Sequence, residues 1–385
     1  MVNIIRRYKY FIISLFVLYL SLAPTVIVSS GSMRFLPIVS LMVFSFCGVL
    51  SWNYAKKARM GFIICFFCVY IILNSMLTPS SYENSIITIL RSTFWCWGYI
   101  VSYAMFNSQS ITYFRFERNV MIISIVFIAV FFLCHMSNIS DFAENVGDNV
   151  IFYSLMFVPW VALMNNKMKK WLILLIISLC VLISLKRSST IIIIATLIIL
   201  YYADNFRGHN LKSSTIIGAL LIIVCAFGVL HLASDKVSVV SERFEALEDD
   251  GGSGRNSIFE DVYERYERGS IVQKIFGHGF DSVRRDSSYI VPVSAHNDFL
   301  EVLYDFGAIG FIFYLLIHLS LIKWTIRLLR ARSQLAFPVL ISYVCFIVMS
   351  MVSHLILYPT YFGLLTAFWA YAECKDNELQ YQESI

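Results

Sequence analysis

Residues 294–323 read SAHNDFLEVLYDFGAIGFIFYLLIHLSLIK. The first part is polar, with His296, Asn297, Asp298, Glu301 and Asp305 close together. The second part, 306–323, is an apolar run. At 1.5 Å per residue, about 20 such residues cross the hydrocarbon of a bilayer. From Asn297 to Tyr304 the pattern is already helical: Phe299, Leu300 and Leu303 make an apolar face, and Asn297 and Glu301 fall four apart on the polar one. A polar helix therefore runs through Gly307 into a membrane span. The chain changes solvent here.

The same alternation of solvents describes the whole chain. It is 58% hydrophobic, 16% aromatic and only 14% charged, with a mean hydropathy of +0.72. Apolar runs recur over 11–29, 34–54, 60–77, 85–106, 119–137, 147–165, 169–185, 188–204, 214–233, 306–323, 334–353 and 355–372. The expected fold is an all-α polytopic membrane protein of about twelve transmembrane helices. The first run, preceded by Arg6, Arg7 and Lys9, is expected to be a retained helix rather than a cleaved signal.

Lys and Arg set the orientation. With the N-terminus inside, Lys56, Lys57, Arg59, Arg115, Arg118, Lys167, Lys169, Lys170, Arg207, Lys212, Lys323, Arg327, Arg330, Arg332 and Lys375 all fall on the cytoplasmic side. Both termini are then expected in the cytoplasm, and the one long polar segment, 234–305, on the outer face. That organisation gives residues 1–233 as nine spans, 234–305 as an outer loop with short helices, and 306–385 as three more spans and a tail. Loose backbone amides are not tolerated in lipid, so the loop must lie in water or line a watery cavity.

The net charge of +5 is topology signal, because between Ser234 and Asp305 fifteen acidic residues face eight basic ones. A nucleic-acid partner is not expected. The nine cysteines lie outside this loop, so neither a disulfide nor a cysteine zinc site is suggested. No HExxH, EF-hand or DxD-like pattern occurs, and no metal or other cofactor is expected.

Several residues stand out as chemistry. Arg187 sits in the tight outer turn Ser184-Leu185-Lys186-Arg187-Ser188-Ser189, where basic residues are disfavoured. It either snorkels to the head groups or meets an anion there, and its planar fork suits phosphate. Arg255 follows Gly251-Gly252-Ser253-Gly254 and precedes a capping box of Ser257 and Glu260. Ile258, Phe259, Val262, Tyr263 and Tyr266 then make the apolar face of a helix of about three turns. His296, beside Asn297, has the range to act as a base or acid near neutral pH. His278 lies in the turn Gly277-His278-Gly279-Phe280. Arg91, inside an apolar run, is costly there and is a pathway or site candidate unless it snorkels. His231, His318 and His354 show no partner pattern and read as packing or interfacial residues.

In combination these residues resemble the bacterial O-antigen polymerase and ligase superfamily. The resemblance rests on the Lys186-Arg187-Ser188 turn, Ser253-Gly254-Arg255, Gly277-His278-Gly279-Phe280, Ala295-His296-Asn297-Asp298-Phe299-Leu300 and Gly307-Ala308-Ile309-Gly310, in that order over roughly 170–325. The aromatic after the loop arginine is often Trp in the family; Phe259 or Tyr263 stands there here. The resemblance implies an inverting, metal-independent glycosyl transfer on the periplasmic face of the bacterial inner membrane. Its donor and acceptor would be polyprenyl-diphosphate-linked oligosaccharides, and a chain-length regulator is a possible partner. The family's functional residues carry over onto Arg187, Arg255 and His296, with Arg91, Asn297 and His278 as substrate-binding candidates. The Gly-His-Gly-Phe element and short length resemble repeat-unit O-antigen polymerases more than ligases, which move the finished glycan to lipid A–core. A transporter or flippase is the competing class; it predicts internal repeats and charges near the midplane, and neither is evident.

Overall fold

A computed structural model describes residues 35–55, 58–78, 85–107, 116–137, 147–184, 186–206, 255–289 and 292–383. The expected first span at 11–29, the ninth at 214–233 and the Gly251–Gly254 run lie outside the described residues. Among the described residues the protein is all-α. The helices are α1 (Phe35–Ala55), α2 (Gly61–Leu77), α3 (Ser85–Met105), α4 (Phe116–Ser137), α5 (Ile151–Ala162), α6 (Lys167–Ser184) and α7 (Arg187–Phe206). The loop contributes α8 (Arg255–Arg268), α9 (Ile271–Phe276) and α10 (Ser282–Arg285). The chain then returns through α11 (Asp298–Arg330), α12 (Ala336–Val352) and α13 (Pro359–Glu383).

Each expected span that falls on described residues has a helix at its place, because long apolar runs in lipid must satisfy their amides internally. Among the described residues two helices suit a full crossing by length and composition, Phe116–Cys134 with 19 residues and Asp298–Arg330 with 33. Other apolar helices are shorter: α2 and α12 have 17 residues each and α5 only 12. Pro159 inside α5 removes a helical hydrogen bond, and Lys167, Lys169 and Lys170 put charge into the first turn of α6.

Close helix contact is made where side chains are small. A Cβ on Gly98 of α3 would stand 3.0 Å from the Gly363 carbonyl of α13, so the two backbones nearly touch. Gly48 of α1 likewise admits the Trp97 ring. Around these crossings Trp95 stacks on Phe362 at 4.5 Å, and Phe346 on Phe362 at 5.2 Å.

Polar residues gather at the two ends of this bundle. At one end the Asp376 carboxylate receives Arg327, Arg59 and the Trp324 indole. Glu373 beside it accepts from the Tyr99 hydroxyl at 2.8 Å and from the Arg59 and Met60 amides. Arg59 and Arg327, assigned to one side of the membrane by the charge rule, meet on one carboxylate. The loop helices pack at the opposite end.

Candidate active site at the loop–membrane junction

The helix α11 bends at Gly307, whose φ of 65° and ψ of −170° lie outside the helical range. The bend is held by the Gly277-His278-Gly279-Phe280 turn. The His278 amide donates to the Tyr304 carbonyl at 3.1 Å, and the Gly279 amide to the Asp305 carbonyl at 2.8 Å. Gly277 and Gly279 have φ of 85° and 98°, and a Cβ on Gly277 would stand 2.3 Å from the Asp305 carbonyl oxygen. The Asp305 carboxylate accepts from the amides of Asp281, Ser282 and Val283, at 2.6, 2.9 and 3.3 Å. That satisfies the free donors at the start of α10.

His278 serves this clasp. Its ring stacks on Tyr304 at 4.2 Å with planes 6° apart, and its Nδ1 lies 3.1 Å from the Tyr304 carbonyl. The Arg265 guanidinium sits over the other chemistry of Tyr304, 5.1 Å from its ring centroid, while the Tyr304 hydroxyl donates to Asp286. A small second core of Val262, Val283, Ala295 and Tyr304 ties α8, α10 and α11 together.

Two local expectations are corrected. The helix α8 begins at Arg255, so Ser257 lies in its first turn rather than capping it. The capping box of this region is one helix later: the Ser270 side chain accepts from the Gln273 amide, and Gln273 accepts from the Ser270 amide. The expected apolar face of α8 buries Val262 fully and Ile258, Phe259 and Tyr266 in part, while Tyr263 is exposed. Glu301, expected on a polar face, is fully buried. Its Oε2 accepts from the Ala295 amide at 2.8 Å, which draws the chain back onto α11 just before His296.

His296 follows with a φ of 51°, a left-handed backbone uncommon outside glycine, though histidine adopts it more often than most residues. Asn297 is the N-cap of α11: its Oδ1 accepts from the amides of Phe299 and Leu300 at 2.9 and 3.2 Å. Its Nδ2 donates to the Met351 carbonyl. The buried Asp298 accepts from the amides of Leu355 and Ile356 and from the Tyr314 hydroxyl, at 2.9, 3.2 and 2.9 Å. Both residues therefore pull the α12–α13 turn against the start of α11.

That turn carries His354, which shows no partner pattern in the sequence. Its ring lies against His296, with centroids 4.7 Å apart and planes 34° apart, and is backed by Tyr358 at 5.0 Å. Burial, then the Arg255 charge, lowers the His296 pKa from its usual value. Burial, His296 and Arg255 push His354 down further, to about 3. Both imidazoles are thus neutral at neutral pH, within the field of the Arg255 cation. A neutral base and a fixed positive charge in one mouth is an arrangement suited to removing a proton while stabilising an anion.

The remaining candidates are placed less closely. The backbone of Arg187 opens α7, which packs against α12, whose far end leads into the His354 turn; its side chain is outside the described residues. Arg91 is exposed on α3 and makes no hydrogen bond or ion pair among the described residues. His354 was missed because its partner lies 58 positions away in sequence, and only the fold brings the two together.

Residues 172–315 match the family model described as O-antigen ligase. The match runs from α6 through the loop and past the Gly307 bend, so it includes Arg187, Arg255, His278, His296 and Asn297. The resemblance to the O-antigen polymerase and ligase superfamily is borne out over this part of an integral membrane protein. His354 lies beyond the match. No curated protein matches the chain.

Proposed function

From this superfamily match, we propose that the protein is an O-antigen polymerase. It joins polyprenyl-diphosphate-linked repeat units on the periplasmic face of the inner membrane. The observation that carries the site is the neutral His296 imidazole, packed on His354 and within the field of Arg255. In this reading His296 takes the proton of the acceptor hydroxyl as that oxygen attacks the anomeric carbon of the donor sugar. The bond from that carbon to the diphosphate oxygen breaks on the opposite face, so the configuration inverts and polyprenyl diphosphate leaves. Arg255 and Arg187 balance the charge that builds on the departing diphosphate, a task metal ions perform in many transferases. Asn297 and Asp298 hold the base, and His354 shields it from water.

The second reading is a ligase that moves the glycan to lipid A–core, which the matched family fits equally. Gel analysis of surface polysaccharide after gene deletion separates the two. Loss of a polymerase leaves single repeat units on the core, whereas loss of a ligase leaves none. Complementation with Arg187→Ala, Arg255→Ala or His296→Ala then tests the site. Normal chains from all three variants, at normal protein levels, would overturn it.

A further inference from the structure

The loop helix α9 presents a face that water does not suit. Ile271, Val272, Ile275 and Phe276 are 76%, 66%, 39% and 48% exposed, and no residue of the helix is buried. They share one side, as positions i, i+1, i+4 and i+5 do. The polar residues Ser270 and Gln273 close the N-terminal end on each other through the capping box. Exposed apolar groups in such a cluster mark a contact surface.

The depth of this helix says what the contact is. The Phe276 carbonyl accepts from the Tyr70 hydroxyl at 3.0 Å and from the Asn74 amide at 2.5 Å, and both donors belong to α2. The helix α2 ends at Leu77, three residues beyond Asn74, which is about 4.5 Å along the axis. Side chains on a helix lean toward its N-terminus, so the Phe276 backbone lies no shallower than Asn74. The whole of α2 is about 25 Å long, close to the hydrocarbon thickness, and the level of Asn74 therefore falls below the head groups. On α2 itself Val69, Leu73, Met76 and Leu77 are exposed along one face, the side that meets lipid. The apolar residues of α9 are exposed at about the level of Asn74 on α2.

We propose that α9 is an interfacial helix, with Ile271, Val272, Ile275 and Phe276 inserted among the acyl chains of the outer leaflet. It anchors the loop to lipid next to the Gly277–Gly307 clasp. Amphipathic helices of this kind lie in the plane of the membrane with the apolar side sunk into the head-group boundary. The Phe276 carbonyl, the last of α9, and the Phe306 carbonyl at the bend are held by the same Tyr70 hydroxyl, at 3.0 and 2.6 Å. The lipid contact and the bend are thereby mechanically linked.

The test is spin-label accessibility in the full-length protein reconstituted in bilayers of zwitterionic phospholipid. Labels are placed at Val272→Cys and, as the water-facing control, at Glu264→Cys; signal from native cysteines is measured in the parent protein and subtracted. The Val272 label should collide with oxygen several-fold more than with a water-soluble nickel chelate, and the Glu264 label should show the reverse order. Equal nickel access at both positions would overturn the proposal. So would low access of Val272 to both reagents, which would mean that protein covers the face. Oxygen access that rises only after a lipid-linked donor is added would assign the face to a polyprenyl chain, and would overturn it as well.

Discussion

The buried carboxylate of Asp298 accepts from the amides of Leu355 and Ile356, joining the first turn of α11 to the turn between α12 and α13. Through this one side chain, the loop that carries His296 and the turn that carries His354 become a single unit. Asn297 adds a bond to the Met351 carbonyl. The surroundings of His296 are thus built from both sides of the bundle mouth.

Asp298→Ala should therefore loosen the site from a distance. It strands two buried amides, each at a cost on the order of 1–3 kcal/mol. Thermal unfolding in detergent should move to lower temperature, and transfer activity should fall at least tenfold even below that temperature. Activity equal to wild type would separate the turn from the site.

His354→Phe keeps an aromatic wall beside His296, whereas His354→Ala opens it to water. The acid limb of the pH–rate profile should stay in place for Phe and move to higher pH for Ala, because burial is the first cause that lowers the His296 pKa. An unmoved limb in the Ala variant would show that the ring does not shield His296.

Arg255→Gln removes the second cause. The His296 imidazole, followed by NMR of labelled histidine, should then titrate at higher pH than in wild type. This measurement does not depend on turnover.

The half-buried His354 also couples folding to pH. His354 titrates near 3 when folded and near 6.5 when unfolded. Between those values the unfolded chain binds more protons, so stability is full above about pH 6.5 and is lost as pH falls toward 3. His354→Phe should flatten this dependence in chemical unfolding at pH 7 and pH 5.

The clasp gives a backbone prediction. Gly277→Ala forces a Cβ to within 2.3 Å of the Asp305 carbonyl oxygen, at a φ of 85°. Neither atom belongs to a flexible side chain. The variant should be destabilised by more than the 1–2 kcal/mol of left-handed strain alone and should be cut faster by protease in the loop.

Much of this was legible in the sequence, for specific reasons. Apolar runs such as 60–77 and 334–353 became helices at nearly the same bounds because lipid leaves the backbone no alternative. Arg255 stands out on its glycine-rich lead-in to a loop helix and His296 at the loop–membrane junction, and the fold brings them within electrostatic reach. Long-range pairing was not legible. The Gly277–Gly279 clasp works on carbonyls of residues 304 and 305, and Glu301 is buried by a bond back to Ala295. Among the described residues a helix stands at each expected span, but short helices such as α5 register in hydropathy as readily as the two long ones, so the number of full crossings is not read from the runs alone.

The most direct test is chain elongation by the purified protein in proteoliposomes, supplied with polyprenyl-diphosphate-linked repeat units in the presence of a metal chelator. The wild type should lengthen the glycan and release polyprenyl diphosphate, and His296→Ala, folded and at equal amount, should be slower by at least a hundredfold. Elongation by His296→Ala at the wild-type rate would contradict the account.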